Sequence, residues 1–199
     1  MSATATRMPA ADRRRHLVET ALRLFTEGSY HGTTTAEIAR AAGVSEPILY
    51  RHFASKRDLY LAALEHVWAK TRAEWERKLD QAPDACAAIE AIGKGHASLR
   101  SPKFQLTELW VQALSEASED PALRRHLRKH MREVHDFVAD LVRRGQNEGA
   151  IAADRDADAE AWIMLAAGIL GMVGRRVGLL DETELQAIRA ARLSWLKGT

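Results

Sequence analysis

The apolar positions of this 199-residue chain follow helical spacing almost throughout. Between residues 121 and 149 they recur every three or four residues, as Leu123, Leu127, Met131, Val134, Val138 and Leu141. That spacing places side chains on one face of a helix. No segment shows a convincing strand-like alternation of apolar and polar residues. The pattern therefore predicts an all-α protein with about nine helices.

Capping residues show where the early helices begin. Thr34-x-x-Glu37 has the spacing of a capping box, and Ser45 stands as an N-cap before a short helix that contains Pro47. Ser55, followed by an acidic residue at the capping-box position, starts a longer helix that we expect to reach about residue 80. Gly43 separates the first two helices and favours a left-handed turn. This order predicts a helix-turn-helix.

Later helices are expected from the same signals. Ser101-Pro102 and Asp120-Pro121 each pair a capping residue with proline at the first helical position. Two final helices are expected at about residues 157–177 and 183–196, joined by a short turn.

The second short helix carries side chains suited to nucleic acid. Tyr50, Arg51, His52 and the following Lys56 can contact a phosphate or a base edge. The helix N-termini at residues 34, 45 and 55 also present N–H groups that bind phosphate. The alternative is a structural three-helix subdomain with ordinary caps and solvated polar faces. The combination of tyrosine, histidine and lysine at these positions favours DNA binding.

These residues resemble the DNA-binding domain of the TetR family of transcriptional regulators. The resemblance rests on Val44-Ser45, Tyr50-x-His52-Phe53, Lys56-x-x-Leu59 and Ala63-Leu64. Upstream, a similar pattern is formed by Ala21, Leu22, Phe25, Gly28, Tyr30 and Thr33-Thr34. The resemblance is strong from about residue 13 to residue 64 and weak beyond.

The resemblance implies a homodimer whose second short helix enters the major groove of double-stranded DNA. It places phosphate contacts at Thr34, Tyr50, His52 and Lys56, and base contacts at Glu46, Pro47, Ile48 and Arg51. Thr35 and Ser45 complete the candidate DNA-binding set. Glu46 is acidic where many relatives carry a neutral or basic residue. Two roles are open for it, because its carboxylate either accepts a hydrogen bond from a cytosine amino group or faces solvent.

Composition agrees with this organisation. Apolar residues make up 46% of the chain, enough for a packed core. Residues 1–60 hold nine Lys/Arg against six Asp/Glu, a net charge of +3, and the whole chain carries +2, so basic charge leans toward the predicted DNA end. We expect a disordered tail at residues 1–11, the helix-turn-helix domain at 12–60 and a helical ligand-binding and dimerisation domain at 61–199.

The last two helices carry broad apolar faces. In the TetR-like arrangement these helices form a four-helix interface between two subunits. The candidate interface residues are Leu165, Ile169, Met172, Val173, Leu185, Ile188 and Trp195. Gly168, Gly171 and Gly174 would permit close helix approach there. The alternative is that the faces pack only within one subunit. A dimer would read an inverted-repeat operator.

The resemblance also implies a small-molecule site in the larger domain. Bulky apolar side chains and a few polar groups are candidates for its walls, namely Trp68, His96, Phe104, Trp110, Leu114, Met131, His135 and Trp162. The alternative for such residues is plain core. His126 and His130 have metal-ligand spacing, but no third ligand is compelling and five neighbouring cations would repel a metal. Neither metal nor cofactor is predicted.

Catalysis is not expected, because the sequence contains no nucleophile elbow, phosphate-binding glycine loop or dinucleotide fingerprint. Cys86 is the single cysteine, which excludes an intrachain disulfide. The N-terminus lacks a signal-peptide pattern, and the uncharged segment at residues 161–174 is too short to span a bilayer. A cytoplasmic location follows as an expectation.

The predicted function is that of a ligand-responsive regulator, most simply a repressor. It would bind a palindromic operator as a dimer and leave it when a small, largely apolar effector binds. The alternative is a helical ligand-sequestering or protein-interaction module without sequence-specific DNA binding.

Overall fold

The computed structural model describes residues 9–94 and 101–199. This part of the chain contains nine α-helices and no strand, which confirms the predicted all-α class. The helices are α1 (Ala10–Glu27), α2 (Thr35–Ala41), α3 (Glu46–Tyr50), α4 (Lys56–Gln81), α5 (Ala85–Lys94), α6 (Pro102–Glu119), α7 (Pro121–Asn147), α8 (Ala157–Arg176) and α9 (Glu182–Lys197).

The chain forms two compact units, residues 1–67 and 68–199. Most of the tail expected at residues 1–11 lies outside the described residues, and Ala10 and Ala11 belong to α1. Helix α4 is continuous across the division between the units, so its first turns belong to one unit and its last turns to the other.

The N-terminal unit is built around an aromatic and aliphatic core. Phe25 of α1 and Tyr60 of α4 are fully buried, and their ring centroids lie 5.0 Å apart in an edge-to-face arrangement. Ile38 of α2 and Leu49 of α3 are also fully buried. Because α2 and α3 have only seven and five residues, they are too short to be stable as isolated helices. Their anchoring in this core keeps them helical.

The turn between α2 and α3 depends on Gly43, as predicted. Gly43 has φ +67°, a backbone conformation that other residues adopt at a cost. Its N–H donates to the carbonyl oxygen of Arg40, and the N–H of Val44 donates to the carbonyl oxygen of Ala39 at 2.9 Å. These bonds end α2 and redirect the chain within a few residues.

The first predicted cap is confirmed in full. The N–H of Glu37 donates to Thr34 Oγ1 at 3.1 Å, and the N–H of Thr34 donates to Glu37 Oε2 at 2.8 Å. These bonds from Thr34, the backbone bond first, lower the pKa of the Glu37 carboxyl. At the start of α4, the N–H of Asp58 donates to Ser55 Oγ at 3.1 Å.

Ser45 occupies the N-cap position of α3, but its side chain accepts no hydrogen bond from the helix. The local sequence explains the difference from Thr34. An N-cap side chain accepts from the second or third helical N–H, and the second helical residue here is Pro47, which has none. The third N–H, that of Ile48, donates instead to the backbone carbonyl of Ser45 at 2.9 Å.

In the C-terminal unit, α7 is the central helix and packs against α5, α6 and α8, while α9 packs against α5. Asp120 caps α7 by accepting from the N–H groups of Ala122 and Leu123, and Ser101 caps α6, as the sequence predicted. Cys86 is buried in a small apolar cluster, and burial raises the pKa of its thiol.

Among the described residues, α8 is the one helix that is long and apolar enough to cross a membrane by its length and composition alone. The sequence analysis considered only the uncharged residues 161–174, which are too short to span a bilayer, whereas the whole helix has 20 residues. Core helices pass the same test, and α8 packs against both α6 and α7. Packing on these helices accounts for only part of its apolar composition, because Leu170, Val173 and Val177 are exposed.

The two N-caps provide a direct test of these contacts. We expect Thr34→Ala to lower the free energy of unfolding by about 1 kcal/mol, because it removes a capping box. Ser45→Ala is the matched control and should change it by no more than a few tenths of a kcal/mol, about the effect of an ordinary surface substitution. Urea unfolding followed by circular dichroism measures both, and equal losses would contradict the structure.

Candidate functional site

The outer face of α3 is the first candidate site. Pro47, Tyr50 and Arg51 are exposed along it, and Ile48 and His52 are half-buried. The opposite face of the same segment enters the core of the unit through Leu49 and Phe53. A short, rigid helix thus presents an apolar, an aromatic and a cationic group together, which suits the edges of bases and the phosphates beside them.

A buried hydroxyl holds this face in place. Thr35 lies at the first residue of α2, and its Oγ1 donates to Glu46 Oε1 at 2.6 Å. Thr35 Oγ1 and Tyr50 Oη are 3.2 Å apart. A threonine hydroxyl can donate only one hydrogen bond, and here it donates to the Glu46 carboxylate. The Tyr50 hydroxyl is therefore the donor in the second bond. One hydroxyl on α2 therefore fixes two side chains of α3.

This network gives two candidate DNA contacts a structural role. The Thr35 side chain is buried and positions α3, and its contact with DNA stays a prediction. Glu46 was expected either to accept from a cytosine or to face solvent, but its carboxylate is half-buried and bonded to Thr35. The acidic residue at this position is explained by the need to anchor α3 to α2. Sequence spacing did not reveal the pair because the two residues lie eleven positions apart.

Thr34 and Lys56 lie at the N-termini of α2 and α4. Thr34 is exposed. The Lys56 ammonium lies 4.5 Å from the centroid of the Tyr30 ring and 3.5 Å from the carbonyl oxygen of His31, to which it donates. These contacts hold the lysine beside the loop that precedes α2. The charge is therefore positioned before any partner binds.

The second candidate site is a cavity of about 1080 Å³ in the C-terminal unit. It is lined by α5, α6, α7, α8 and α9 together with Trp75 of α4. Most of its walls are aliphatic or aromatic, for example Ile92, Leu106, Val138 and Leu141. Its size and lining are those of a small-molecule site.

Among the eight predicted ligand-site residues, only Trp110 lines this cavity. His96 lies outside the described residues. The other six have different surroundings: Trp68 and His135 are buried in the core, Phe104 and Met131 are half-buried, and Leu114 and Trp162 are exposed. None of the six lines this cavity, and their contact with an effector stays a prediction. Helical spacing shows which residues share a face, but not which of several neighbours that face meets.

The predicted polar groups have structural roles. Trp110 Nε1 donates to His130 Nδ1 at 3.1 Å, and burial, followed by the nearby His126, lowers the pKa of His130 to about 4. His130 is therefore a neutral acceptor that fixes the orientation of Trp110. His135 is bonded to Asp136 Oδ1 and to the carbonyl oxygen of Asp158, and its ring lies 4.3 Å from that of Trp162.

No group of three possible metal-binding side chains occurs within residues 9–94 and 101–199. The pair at positions 126 and 130 is thus not extended to a metal site by any described residue.

The predicted dimer face divides into two parts. Val173, Ile188 and Trp195 are exposed, and Ile169 is half-buried. Leu165, Met172 and Leu185 are instead buried within the subunit. Leu165 and Leu185 line the cavity, as do the exposed Ile188 and Trp195. An interface between subunits through these seven residues stays a prediction.

Further exposed apolar side chains lie on α8. Ile163, Leu170 and Val177 recur every seven residues and are all exposed, and Ile163 also borders the cavity. The sequence analysis did not name these three residues. The seven-residue spacing is present in the sequence. The buried stripe of the same helix, which includes Leu165 and Met172, is equally apolar, so the sequence does not show which stripe is exposed.

The glycines of α8 are used differently from the prediction. A side chain at Gly174 would meet Leu180 of the same subunit, and one at Gly171 would lie 3.7 Å from Leu185. Only at Gly168, of these three, is no atom of the described residues within 4 Å. Of these three glycines, only Gly174 is required for close packing inside the subunit, because 3.7 Å is an ordinary van der Waals contact.

Comparison with known proteins follows the same division of the chain. Residues 17–63 match the family model described as "Bacterial regulatory proteins, tetR family". Residues 87–198 match the one described as "BetI-type transcriptional repressor, C-terminal". The HTH-type transcriptional activator FasR of Mycolicibacterium smegmatis is 48% identical over 59 residues, which are 30% of this chain and 27% of FasR. The chain thus matches about a quarter of that relative's length.

Solved structures share the whole fold. A TetR-family transcriptional regulator from Rhodococcus sp. superimposes with a TM-score of 0.81 at 19% identity, covering 94% of this chain and 99% of the other. A transcriptional regulator from Saccharomonospora viridis in complex with choline gives a TM-score of 0.73 at 23% identity, covering 94% and 96%. At these identities the likeness establishes the fold.

The hydroxyl network makes a quantitative prediction. Thr35→Val should lower the free energy of unfolding by about 1.5–3 kcal/mol, because it removes a hydrogen bond to a partly buried carboxylate. Thr26→Val is the matched control, because the Thr26 hydroxyl bonds only to backbone carbonyls of its own helix. It should change stability by less than about 0.5 kcal/mol. Urea titration measures both, and a Thr35→Val loss no larger than that of the control would contradict the network.

Proposed function

The chain belongs to the TetR family of bacterial regulatory proteins, and we propose that it acts as a repressor whose operator is released when an effector occupies the cavity. It is a transcriptional regulator with a helix-turn-helix DNA-binding domain and a C-terminal ligand-binding domain, and it is not an enzyme. Regulators of this family bind operator DNA and small-molecule effectors as homodimers. The alternative of a helical module without DNA binding is not favoured.

One observation carries the DNA-binding part of the proposal. The segment that matches the DNA-binding family model contains α3, whose outer face is exposed while its position is fixed by the Thr35 hydroxyl. A reading helix must be both accessible and rigid, because base contacts require positions accurate to a fraction of an ångström.

The proposed contacts divide by chemistry. Pro47, Ile48 and Arg51 face base edges, and Tyr50 contacts the phosphate backbone. Thr34, Ser45 and Lys56 bind phosphates at the N-termini of α2, α3 and α4. His52, just after the C-terminus of α3, binds a phosphate through its imidazole. Two such helices, related by the two-fold axis of the dimer, would read half-sites about 34 Å apart on one side of the duplex.

Repression is favoured over activation by the extent of the match. The BetI-type repressor model covers residues 87–198, whereas the activator FasR matches over 59 residues only. The larger match includes the whole cavity except Trp75, so it concerns the part of the chain that responds to ligand.

Helix α4 supplies a physical connection for the response. Trp75 lines the cavity, and the same continuous helix begins at Lys56 directly after the helix-turn-helix. An effector that favours a different position of α4 would therefore change the position of α3. A coupling free energy of about 1–3 kcal/mol is enough to alter operator affinity by roughly 5- to 150-fold.

The dimer is proposed to form through the outer sides of α8 and α9. Exposed apolar side chains are present on both helices: Leu170, Val173 and Val177 on α8, and Ile188 and Trp195, which also border the cavity, on α9. Two copies of this pair form a four-helix interface that removes these side chains from water. We place the protein in the cytoplasm, where the bacterial chromosome is accessible.

DNA reading is tested with duplexes selected from a random pool by the purified protein. We expect selection of an inverted repeat, and we expect Arg51→Ala to weaken its binding by about 1–3 kcal/mol, or roughly 5- to 150-fold. Arg125→Ala changes another exposed arginine, on α7, and should leave affinity within a factor of two. Fluorescence anisotropy at fixed salt measures both. A pool that shows no sequence preference would contradict the proposal.

The interface is tested with two leucines in mid-helix. Leu170 of α8 and Leu114 of α6 are exposed to similar degrees, 45% and 55%. Leu170→Glu should convert the dimer to a monomer at micromolar concentration, because it places two charges in an apolar interface. Leu114→Glu should leave the dimer intact. Light scattering coupled to size-exclusion chromatography distinguishes the two results, and a dimeric Leu170→Glu protein would exclude this face.

A further inference from the structure

The charged groups that line the cavity are unbalanced. Its walls include five cationic side chains but only two carboxylates. Glu90 is paired with Lys94 at 2.5 Å. Glu182 is paired with both Arg175 at 2.5 Å and Arg189 at 3.0 Å. Arg192 is paired with the buried Glu160. Both lining carboxylates are therefore already engaged by cations.

Lys103 remains as a lining cation without such a partner. No carboxylate of the described residues lies within ion-pair distance of its ammonium. It is half-buried in the first turn of α6, and its nitrogen lies 5.6 Å from the centroid of the Trp75 ring. An aromatic face supplies weak attraction to a cation, but much less than a carboxylate in the same place.

Two neighbours of Lys103 add positive charge. Lys78 on α4 and Arg189 on α9 both act against its charged form, and Glu74 on α4 favours it only in part. Glu74 is itself 3.1 Å from the Lys78 ammonium, which also donates to the carbonyl oxygen of Ala91 on α5. Burial, followed by the two cations, lowers the pKa of Lys103 to about 7. The empty cavity is thus a poor environment for this ammonium.

We propose that the cavity binds a carboxylate with an extended apolar chain, and that Lys103 holds the carboxylate while aliphatic walls such as Leu106 and Val138 cover the chain. This inference rests on the proposed function, because it assigns a chemical class to the effector of the same cavity. An anion at this position completes the ion pair that the chain itself does not supply. The aliphatic walls require the remainder of the molecule to be apolar.

A quaternary ammonium ligand fits this cavity poorly. The regulator from Saccharomonospora viridis was solved in complex with choline, but at 23% identity only the fold is shared. Here a cation in the same cavity would approach Lys103 and the nearby Arg189. Like charges that lie close together in a partly buried site repel each other. The cavity is therefore expected to bind an anionic ligand more tightly than a cationic ligand with an alkyl chain of equal length.

Proton uptake is a consequence that purely apolar binding does not share. A bound carboxylate favours the charged form of Lys103 and so raises its pKa above the value in the empty protein. Above pH 7 the empty protein has a largely neutral Lys103, and binding must add a proton. Affinity for the carboxylate should therefore fall as pH rises from 7 to 9, by up to about tenfold per pH unit.

The test uses the full-length protein and three probes of equal chain length below their micellar concentrations: dodecanoate, dodecanol and dodecyltrimethylammonium. Isothermal titration calorimetry at pH 7 should show dodecanoate binding at least tenfold more tightly than dodecyltrimethylammonium. At pH 8, titrations in phosphate and in Tris should differ by the heat of proton uptake from the buffer.

Variants distinguish binding through Lys103 from nonspecific hydrophobic binding. Lys103→Met keeps an apolar stem and should lose at least tenfold in dodecanoate affinity, lose the proton uptake and leave dodecanol binding unchanged. Lys94→Met removes a cation that is paired with Glu90 in the same cavity and should change dodecanoate affinity by no more than twofold. If the Lys103→Met protein does not fold, Lys103→Gln replaces it, and the comparison of the three probes on the unchanged protein still decides.

Two results overturn the inference: equal or tighter binding of dodecyltrimethylammonium, or full dodecanoate affinity in the Lys103 variant. Failure of the proposed function is a separate result, seen as a lack of operator binding in the absence of any ligand. A protein that binds a selected operator but prefers the cationic probe refutes the ligand class alone. A protein that binds dodecanoate through Lys103 with unchanged operator affinity supports the ligand class and refutes the coupling.

Discussion

The DNA-reading surface depends on how a helix of five residues is held in place. A helix of this length has no stability of its own. On its inner side α3 is anchored by Leu49, which is fully buried, and on its flank by the hydroxyl of Thr35, which joins the Glu46 carboxylate and the Tyr50 hydroxyl. These contacts leave only the outer face to solvent. The rest of the account assumes that this face is rigid before DNA arrives.

In the ligand-binding part of the molecule, the important constraint is that cationic side chains in an apolar cavity need anionic partners. Within the described part of the C-terminal unit, most of the cationic groups around the cavity are already paired with glutamates, and Lys103 is the exception. The same cavity contains Trp75 of α4, the helix that begins beside the reading segment. An anion that binds at Lys103 would therefore act next to the element that connects ligand and DNA.

The fold was largely predictable because its signals are local. A capping box at Thr34, a left-handed glycine at Gly43 and capped prolines at Ser101 and Asp120 depend on a few adjacent residues, and each is present in the structure. The position of the reading face was predictable for the same reason. Ser45 is an exception. It occupies the N-cap position as predicted, but its side chain makes no capping hydrogen bond, because Pro47 in the same turn has no N–H to donate.

The ligand site and the dimer face were not predictable in detail, because they depend on which helix meets which. Leu165 and Leu185 were assigned to the dimer face but line the cavity, whereas Leu170 faces outward on the same helix as Leu165. An apolar stripe is equally compatible with both outcomes. Lys103 carried no signal in the sequence, since its significance comes from the absence of a carboxylate around it in the described structure.

The central claim is that α3 is the element inserted into DNA, and amide hydrogen exchange with and without a selected operator tests it most directly. Another basic surface exists on α7, where Arg124, Arg125, Arg128, Lys129 and Arg132 are close in sequence. The account predicts that operator slows exchange in residues 34–37 and 45–53 and leaves residues 124–132 unchanged. Protection confined to residues 124–132, with α3 exchanging as in the free protein, would contradict it.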